Sequence, residues 1–253
     1  MIDSTDLVNA HGSNTVPQEP DDVVTVLKHR IGTLLHEIQQ LEGWRIVTNQ
    51  DSDPILVRAI LREVYREVAL YQPDVIEATI AVIGQFPRRL DAKRVRAMLV
   101  HQAEEWDHGE MALRDFVALG GSEEQIRKGP MTPTAFATAA FWRMLAHKRL
   151  CFGYLGALYL FEGLTPVITA MVKPLLRANG VPDTALEYID FHSTEDVRHA
   201  TIIDAVIRNV VDVFPDAVEH VMFGFAAFKQ VYPIPGWNAA LIRAQESPNC
   251  MHA

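Results

Sequence analysis

Apolar residues recur along this chain every three or four positions from residue 21 onward, and no stretch alternates in a sustained period of two. That spacing predicts helices and no sheet. Asp21-Asp22 open a first helix running toward Trp44, and Pro54 stands at the head of a second, residues 55–70. Gln72-Pro73-Asp74 open a third, 75–86, and a long fourth covers roughly 91–118 before Gly120-Gly121. Thr132-Pro133-Thr134 start a fifth, which leads past a break near Lys148 into an apolar central helix stopped by Gly180. Pro182-Asp183 start a helix reaching about Val213, and Pro215-Asp216 start the last, which ends before Pro233. No fixed-period repeat disturbs this plan. The expectation is an all-α bundle of about seven helices in one domain, 21–245, between a flexible tail at 1–20 and a short tail at 246–253.

The central helix has its own logic. From Cys151 to Val172 the single charged residue is Glu162, and the length would suffice to cross a bilayer. A carboxylate in the middle of a lone span is costly, and no second span with suitable flanks follows. The reading adopted is a helix apolar on all sides because it runs through the middle of a bundle, with no membrane partner. Pro166, four residues on, cannot donate to the Glu162 carbonyl, so a bend is expected beside a buried acid.

Other ionisable residues also fall on apolar faces. At 100° per residue, His192, Asp196 and His199 lie within about 60° of one another. Their stripe continues through Ile203, Val206 and Val210. The plain explanation is a self-contained cluster in which Asp196 bonds both histidines. The chemical one is a cation that compensates three buried groups at once. On the fourth helix Glu105 and His108 are neighbours three apart, with Glu104 an alternative that local geometry does not separate. His101, seven before His108, reads more simply as a core histidine. Glu162 would add a carboxylate from a third central helix. Imidazole and carboxylate without thiolate suit iron or manganese and permit zinc.

Composition narrows the choice. The 253 residues are 49% hydrophobic and 22% charged, with mean hydropathy +0.04, enough for a real core. Basic residues number 23 against 32 acidic, a net charge of -9, which disfavours nucleic acid as a partner. Two cysteines, Cys151 and Cys250, make neither a disulfide framework nor a thiolate zinc site. The N-terminus has no secretory pattern, so a cytoplasmic protein is expected. Arg88, Arg89, Lys93, Arg94 and Arg96 form a basic cluster that reads as a solvated helix start, or as a dock for an acidic redox or carrier protein. No G-x-G-x-x-G, Walker or Cys-x-x-Cys pattern occurs, so electrons for a redox reaction would come from outside the chain.

The H-x3-D-x2-H pattern at His192, Asp196 and His199, the upstream Glu162, and the Glu105-x2-His108 pair resemble the heme-oxygenase-like diiron oxidases and oxygenases. The likeness spans roughly residues 55–230, and its specificity rests on those six positions. It implies a heme-oxygenase-like bundle that binds no heme but two Fe(II) ions per chain, with O2 as co-substrate and an external electron donor. Glu105, His108 and His192 would then hold one metal, Asp196 and His199 the other, with Glu162 between them. The implied substrate is a small organic molecule in biosynthetic chemistry, an amine or amino acid first and a medium-chain fatty acid second. A homodimer is compatible with this. The rival of another class is a ferritin-type iron store, which would need Glu63 or Glu67 and would not need His192. A metal-free relative of the thiaminase-like bundles is a third reading, and it leaves the six positions without a role.

Overall fold

In the computed structural model, residues 20–194 and 196–246 are described, with the backbone alone for Pro20, Asp21, Asp22, Asp196 and Val197. Of the expected tails, 1–20 and 246–253, all but Pro20 and Glu246 lie outside them. Among the described residues there are α-helices and 3₁₀ turns and no strand. In chain order the helices are α1 (Pro20–Gln39), α2 (Glu42–Thr48), α3 (Pro54–Ile83), α4 (Ala92–Glu104), α5 (His108–Ala118) and α6 (Glu123–Lys128). There follow α7 (Pro133–His147), α8 (Cys151–Ala178), α9 (Glu187–His192), α10 (Asp196–Val213), α11 (Ala217–Lys229) and α12 (Ile234–Gln245). A 3₁₀ turn, Glu105–Asp107, joins α4 to α5, and another, Asp183–Ala185, precedes α9.

The all-helical expectation holds, but twelve helices among the described residues replace about seven, for identifiable reasons. The two helices expected over 55–70 and 75–86 form one, α3, which ends at Ile83. Pro73 sits inside α3, where burial of Val68, Leu70, Tyr71, Val75 and Ile76 on either side outweighs one missing backbone hydrogen bond. The expected helix over 91–118 is interrupted by the Glu105–Asp107 turn. The one expected over 183–213 breaks after His192. There the Ser193 and Thr194 hydroxyls donate to the carbonyls of Asp190 and Phe191 at 2.9 and 3.0 Å, competing with helix continuation. α12, beyond Pro233, was not foreseen. The break near Lys148 and the stop at Gly180, whose φ is +72°, fall where the sequence puts them.

Two helices form the axis of the bundle. α3 is covered by α5, α7 and α12, and α8 by α1, α10 and α11. α1 presents Val23, Val24, Leu27, Ile31, Leu34 and Ile38 inward at helical spacing. α8 is long and apolar enough to cross a membrane, yet 72% of its most apolar window is buried inside this protein. It runs without interruption through Pro166 and Pro174. α8 and α11 meet backbone to backbone at Gly153, Gly156 and Gly224. A Cβ on Gly156 would overlap the Val221 carbonyl, and one on Gly224 the Gly153 carbonyl.

The short helix α9 is fixed from outside. Asp115 of α5, fully buried, accepts hydrogen bonds from the Glu187 and Tyr188 N–H groups at 3.1 and 2.8 Å. The Tyr65 hydroxyl donates to the Ala185 carbonyl at 2.8 Å. Burial, reinforced by the charge of Glu187, pushes the Asp115 carboxyl up to about 6 against the pull of those two N–H groups.

Two outcomes follow from this packing. Gly156→Ala should lower thermal stability by roughly 1–3 kcal/mol, measured by denaturant unfolding, because two backbones must separate. Asp115, raised in the folded state, favours folding more once protonated. The stability gap between wild type and Asp115→Asn should therefore widen as pH falls from about 7 toward about 4, read from unfolding curves across that range.

Candidate metal centre

Ionisable side chains from α4, the adjoining 3₁₀ turn, α5, α8, α9 and α10 meet in the interior. His101 lies in the last turn of α4, Glu105 opens the 3₁₀ turn, and His108 opens α5. Side chains three apart eclipse in 3₁₀ geometry. His108 therefore lies over Glu105, with Nδ1 and Oε2 2.6 Å apart. Glu162 comes from the middle of α8, His192 from the end of α9 and His199 from the first turns of α10. All six are at most 3% exposed.

They form two groups with one member in common. The first is Glu105, His108 and His192. His192 Nε2 lies 3.1 Å from His108 Nδ1, which faces Glu105 Oε2. The second is His101, Glu105, Glu162 and His199. His199 Nδ1 is 3.2 Å from Glu105 Oε1 and 3.6 Å from Glu162 Oε2, while His101 Nε2 is 3.7 Å from Glu105 Oε1 and 3.5 Å from Glu162 Oε1. Ligands that each stand about 2.1 Å from one ion are separated by about 3 Å, so these spacings suit a shared cation. Two further observations fit. Glu105 Oε1 and His101 Nε2 are buried without a hydrogen-bond partner, which is expensive unless something else satisfies them. The donor set is nitrogen and oxygen only, as iron and manganese prefer.

The surroundings set the protonation states. Burial opposes the charge on Glu105, but the His108 ring against one oxygen, the His199 ring near the other and the neighbouring His101 outweigh it and hold the carboxyl far below its ordinary range. In Glu162 burial and the charge of Glu105 both favour the neutral acid, yet His101 and His199 prevail and its pKa is lowered. Burial, then His108, lowers His192 to about 4, so its ring is neutral near pH 7. Its Nδ1–H donates to the Tyr188 carbonyl at 2.6 Å, which turns the Nε2 lone pair inward. Tyr188 also stacks on that ring, centroids 3.8 Å apart. On the other side His199 Nε2 meets Glu104 Oε2 at 3.1 Å, and Arg198 holds the same oxygen at 2.6 Å.

Measured against the sequence, the structure brings together Glu105, His108, Glu162, His192 and His199. The Asp196 side chain lies outside the described residues. Of Glu104 and Glu105, it is Glu105 that faces the buried group. Glu104 stands at the rim and bonds the outer nitrogen of His199, because the 3₁₀ turn directs only Glu105 inward. The carboxylate common to both groups is Glu105, whereas the sequence reading put Glu162 between the metals. His101, taken as a core residue, faces both carboxylates. Its spacing of four before Glu105 and seven before His108 was the available signal. Glu63 and Glu67, the carboxylates an iron store would need, are held elsewhere: Arg243 pairs with both, and Thr132 and Thr134 donate to Glu67.

Residues 62–232, well over half of the chain, match the family of iron-containing redox enzymes with a heme-oxygenase-like fold. Among solved structures, a domain of unknown function with a heme oxygenase-like fold from Shewanella denitrificans OS217 superposes with a TM-score of 0.69 at 17% identity. The alignment covers 88% of this chain and 92% of that one. A TenA homolog from Pseudomonas syringae pv. tomato DC3000 superposes with a TM-score of 0.60 at 13% identity, over 91% of this chain and 92% of its own. At such identities both show the fold alone. No curated protein matches the chain.

Proposed function

Because this chain belongs to the iron-containing redox enzyme family, we propose that it is a non-heme diiron oxidase or oxygenase that uses O2 to oxidise a small organic molecule. The observation that carries the reading is the pair of buried His/Glu groups joined through Glu105. Glu105, His108 and His192 would hold one iron. Glu105, Glu162 and His199, with Asp196, would hold the other. Bound there, a diferrous pair supplies the electrons and binding positions for O2 activation. The chain's own residues do the rest. Tyr188 and Glu104 fix the rings of His192 and His199, and the carboxylates stay ionised to offset metal charge. Burial keeps the reacting atoms from bulk water. Electrons would enter from an external donor, and the exposed or half-exposed basic residues at the start of α4, Arg88 to Arg96, are the place we assign to an acidic one.

For the substrate we put an amine or amino acid first. A second reading, decarboxylation of a medium-chain fatty acid, has its own support. A cavity lined by Val64, Val68, Thr165, Val172, Tyr188 and Trp237, among others, carries no charged side chain. It adjoins the centre, since Tyr188 stacks on His192 and Thr165 lies one turn past Glu162.

The test is anaerobic loading with Fe(II), iron analysis, and rapid mixing with O2 while visible absorption is followed. Wild type should bind two irons per chain and give a transient band. Glu105→Ala should lose both irons and Glu162→Ala one, while Glu104→Ala should weaken binding about 10–100-fold without abolishing it. His192→Ala should weaken one position and remove the transient. Wild-type behaviour in His192→Ala would turn the assignment to iron storage, and protein that takes up no iron would end it.

A further inference from the structure

The second group holds a histidine that the six-residue resemblance does not include. His101 is fully buried, lies edge-on to His199 with ring centroids 4.3 Å apart, and points Nε2 between Glu105 and Glu162. Its other nitrogen, Nδ1, lies 3.0 Å from Gln102 Nε2. In that pairing the amide donates and Nδ1 accepts, so the neutral ring carries its proton on Nε2, where a ligand needs a lone pair. Gln102 is itself 4% exposed, and its Oε1 is buried without a hydrogen-bond partner.

Two of the other rings show what a ligand arrangement requires. His192 donates outward to the Tyr188 carbonyl, and the outer nitrogen of His199 faces the Glu104 carboxylate. Each therefore directs a lone pair inward. For His101 the group in that outer position is the Gln102 amide, whose oxygen and nitrogen ends are nearly the same in shape. A half-turn of the amide brings Oε1 onto Nδ1, moves the ring proton to Nδ1 and frees Nε2. With a cation at Nε2, this orientation leaves one buried polar group fewer without a partner. The amide nitrogen then stands where the oxygen stood, and His101 Nε2 is satisfied.

We infer that His101 is an additional ligand of the second metal position through Nε2, and that Gln102 is the positioning residue that holds it in this form by accepting its Nδ1–H. The inference rests on the two-metal reading and adds to it a ligand and an outer partner on adjacent residues of one helix. Gln102→Glu keeps an acceptor in the same place. Gln102→Met keeps the length and removes it.

Two readouts that do not depend on turnover test this. In anaerobic Fe(II) titrations, Gln102→Met should bind the second cation about 10–100-fold more weakly with the first unchanged, and Gln102→Glu should bind both at least as tightly as wild type. In Zn(II)-loaded wild type with 15N-labelled histidine, long-range 1H–15N spectra should place the His101 proton on Nδ1. Two cations bound as tightly in Gln102→Met as in wild type would overturn the inference, as would a His101 proton on Nε2 in the loaded protein. Either result leaves the diiron reading standing. Wild type that binds no cation overturns both. Should Gln102→Met fail to fold, the tautomer in wild type decides alone.

Discussion

The carboxylate of Glu105 is pressed between four partners. His108 approaches one oxygen at 2.6 Å, His199 approaches the other at 3.2 Å, and His101 and a second buried acid, Glu162, close the group. Two ionised acids in a dry interior repel each other and lose their hydration, so the fold tolerates them only with positive charge nearby. Contacts with the imidazoles offset part of that cost. Divalent cations would offset the rest, and they would also satisfy the Glu105 oxygen that lacks a hydrogen bond. The centre is thus built around a cost that apolar side chains of the same size would not incur.

Most of the scaffold serves to hold that cost in place. Glu162 is fixed by α8, which the glycine contact draws against α11 and which α1 and α10 flank. His192 sits at the end of a six-residue helix too short to stand alone, so Asp115 secures its first N–H groups and Tyr65 the turn before it. His199 is oriented by Glu104, and Glu104 by Arg198. α12 closes over α3 through Arg243, which ties up Glu63 and Glu67. Those two acids lie on the same helix bundle as the centre and take no part in it.

The legible and illegible parts of the sequence divide along a physical line. Period and polarity disclosed the helical class and the burial of most of the apolar central helix α8. They also disclosed the anomaly of acids and histidines on core-facing stripes, because each depends on spacing along a regular helix. Helix irregularity was not legible. The Glu105–Asp107 turn and the break after His192 leave the apolar period intact, yet the first decides that Glu105 faces inward while Glu104 faces the rim. The single helix expected to carry His192, Asp196 and His199 is instead two, α9 and α10, and the Ser193 and Thr194 hydroxyls bond backbone carbonyls at the end of the first. His101 went unrecognised for a different reason. A lone histidine on an apolar face has two readings, and only the approach of α8 and α10 shows which charges it meets.

As proposed, one carboxylate, Glu105, would join two metal positions into a single centre. Mössbauer spectroscopy of protein loaded with 57Fe and then oxidised tests it most directly, because irons bridged by a shared carboxylate are magnetically coupled. Two irons per chain and a diferric spectrum with a diamagnetic ground state are expected. The magnetically split spectrum of isolated high-spin ferric ions, at one or two per chain, would contradict the proposal.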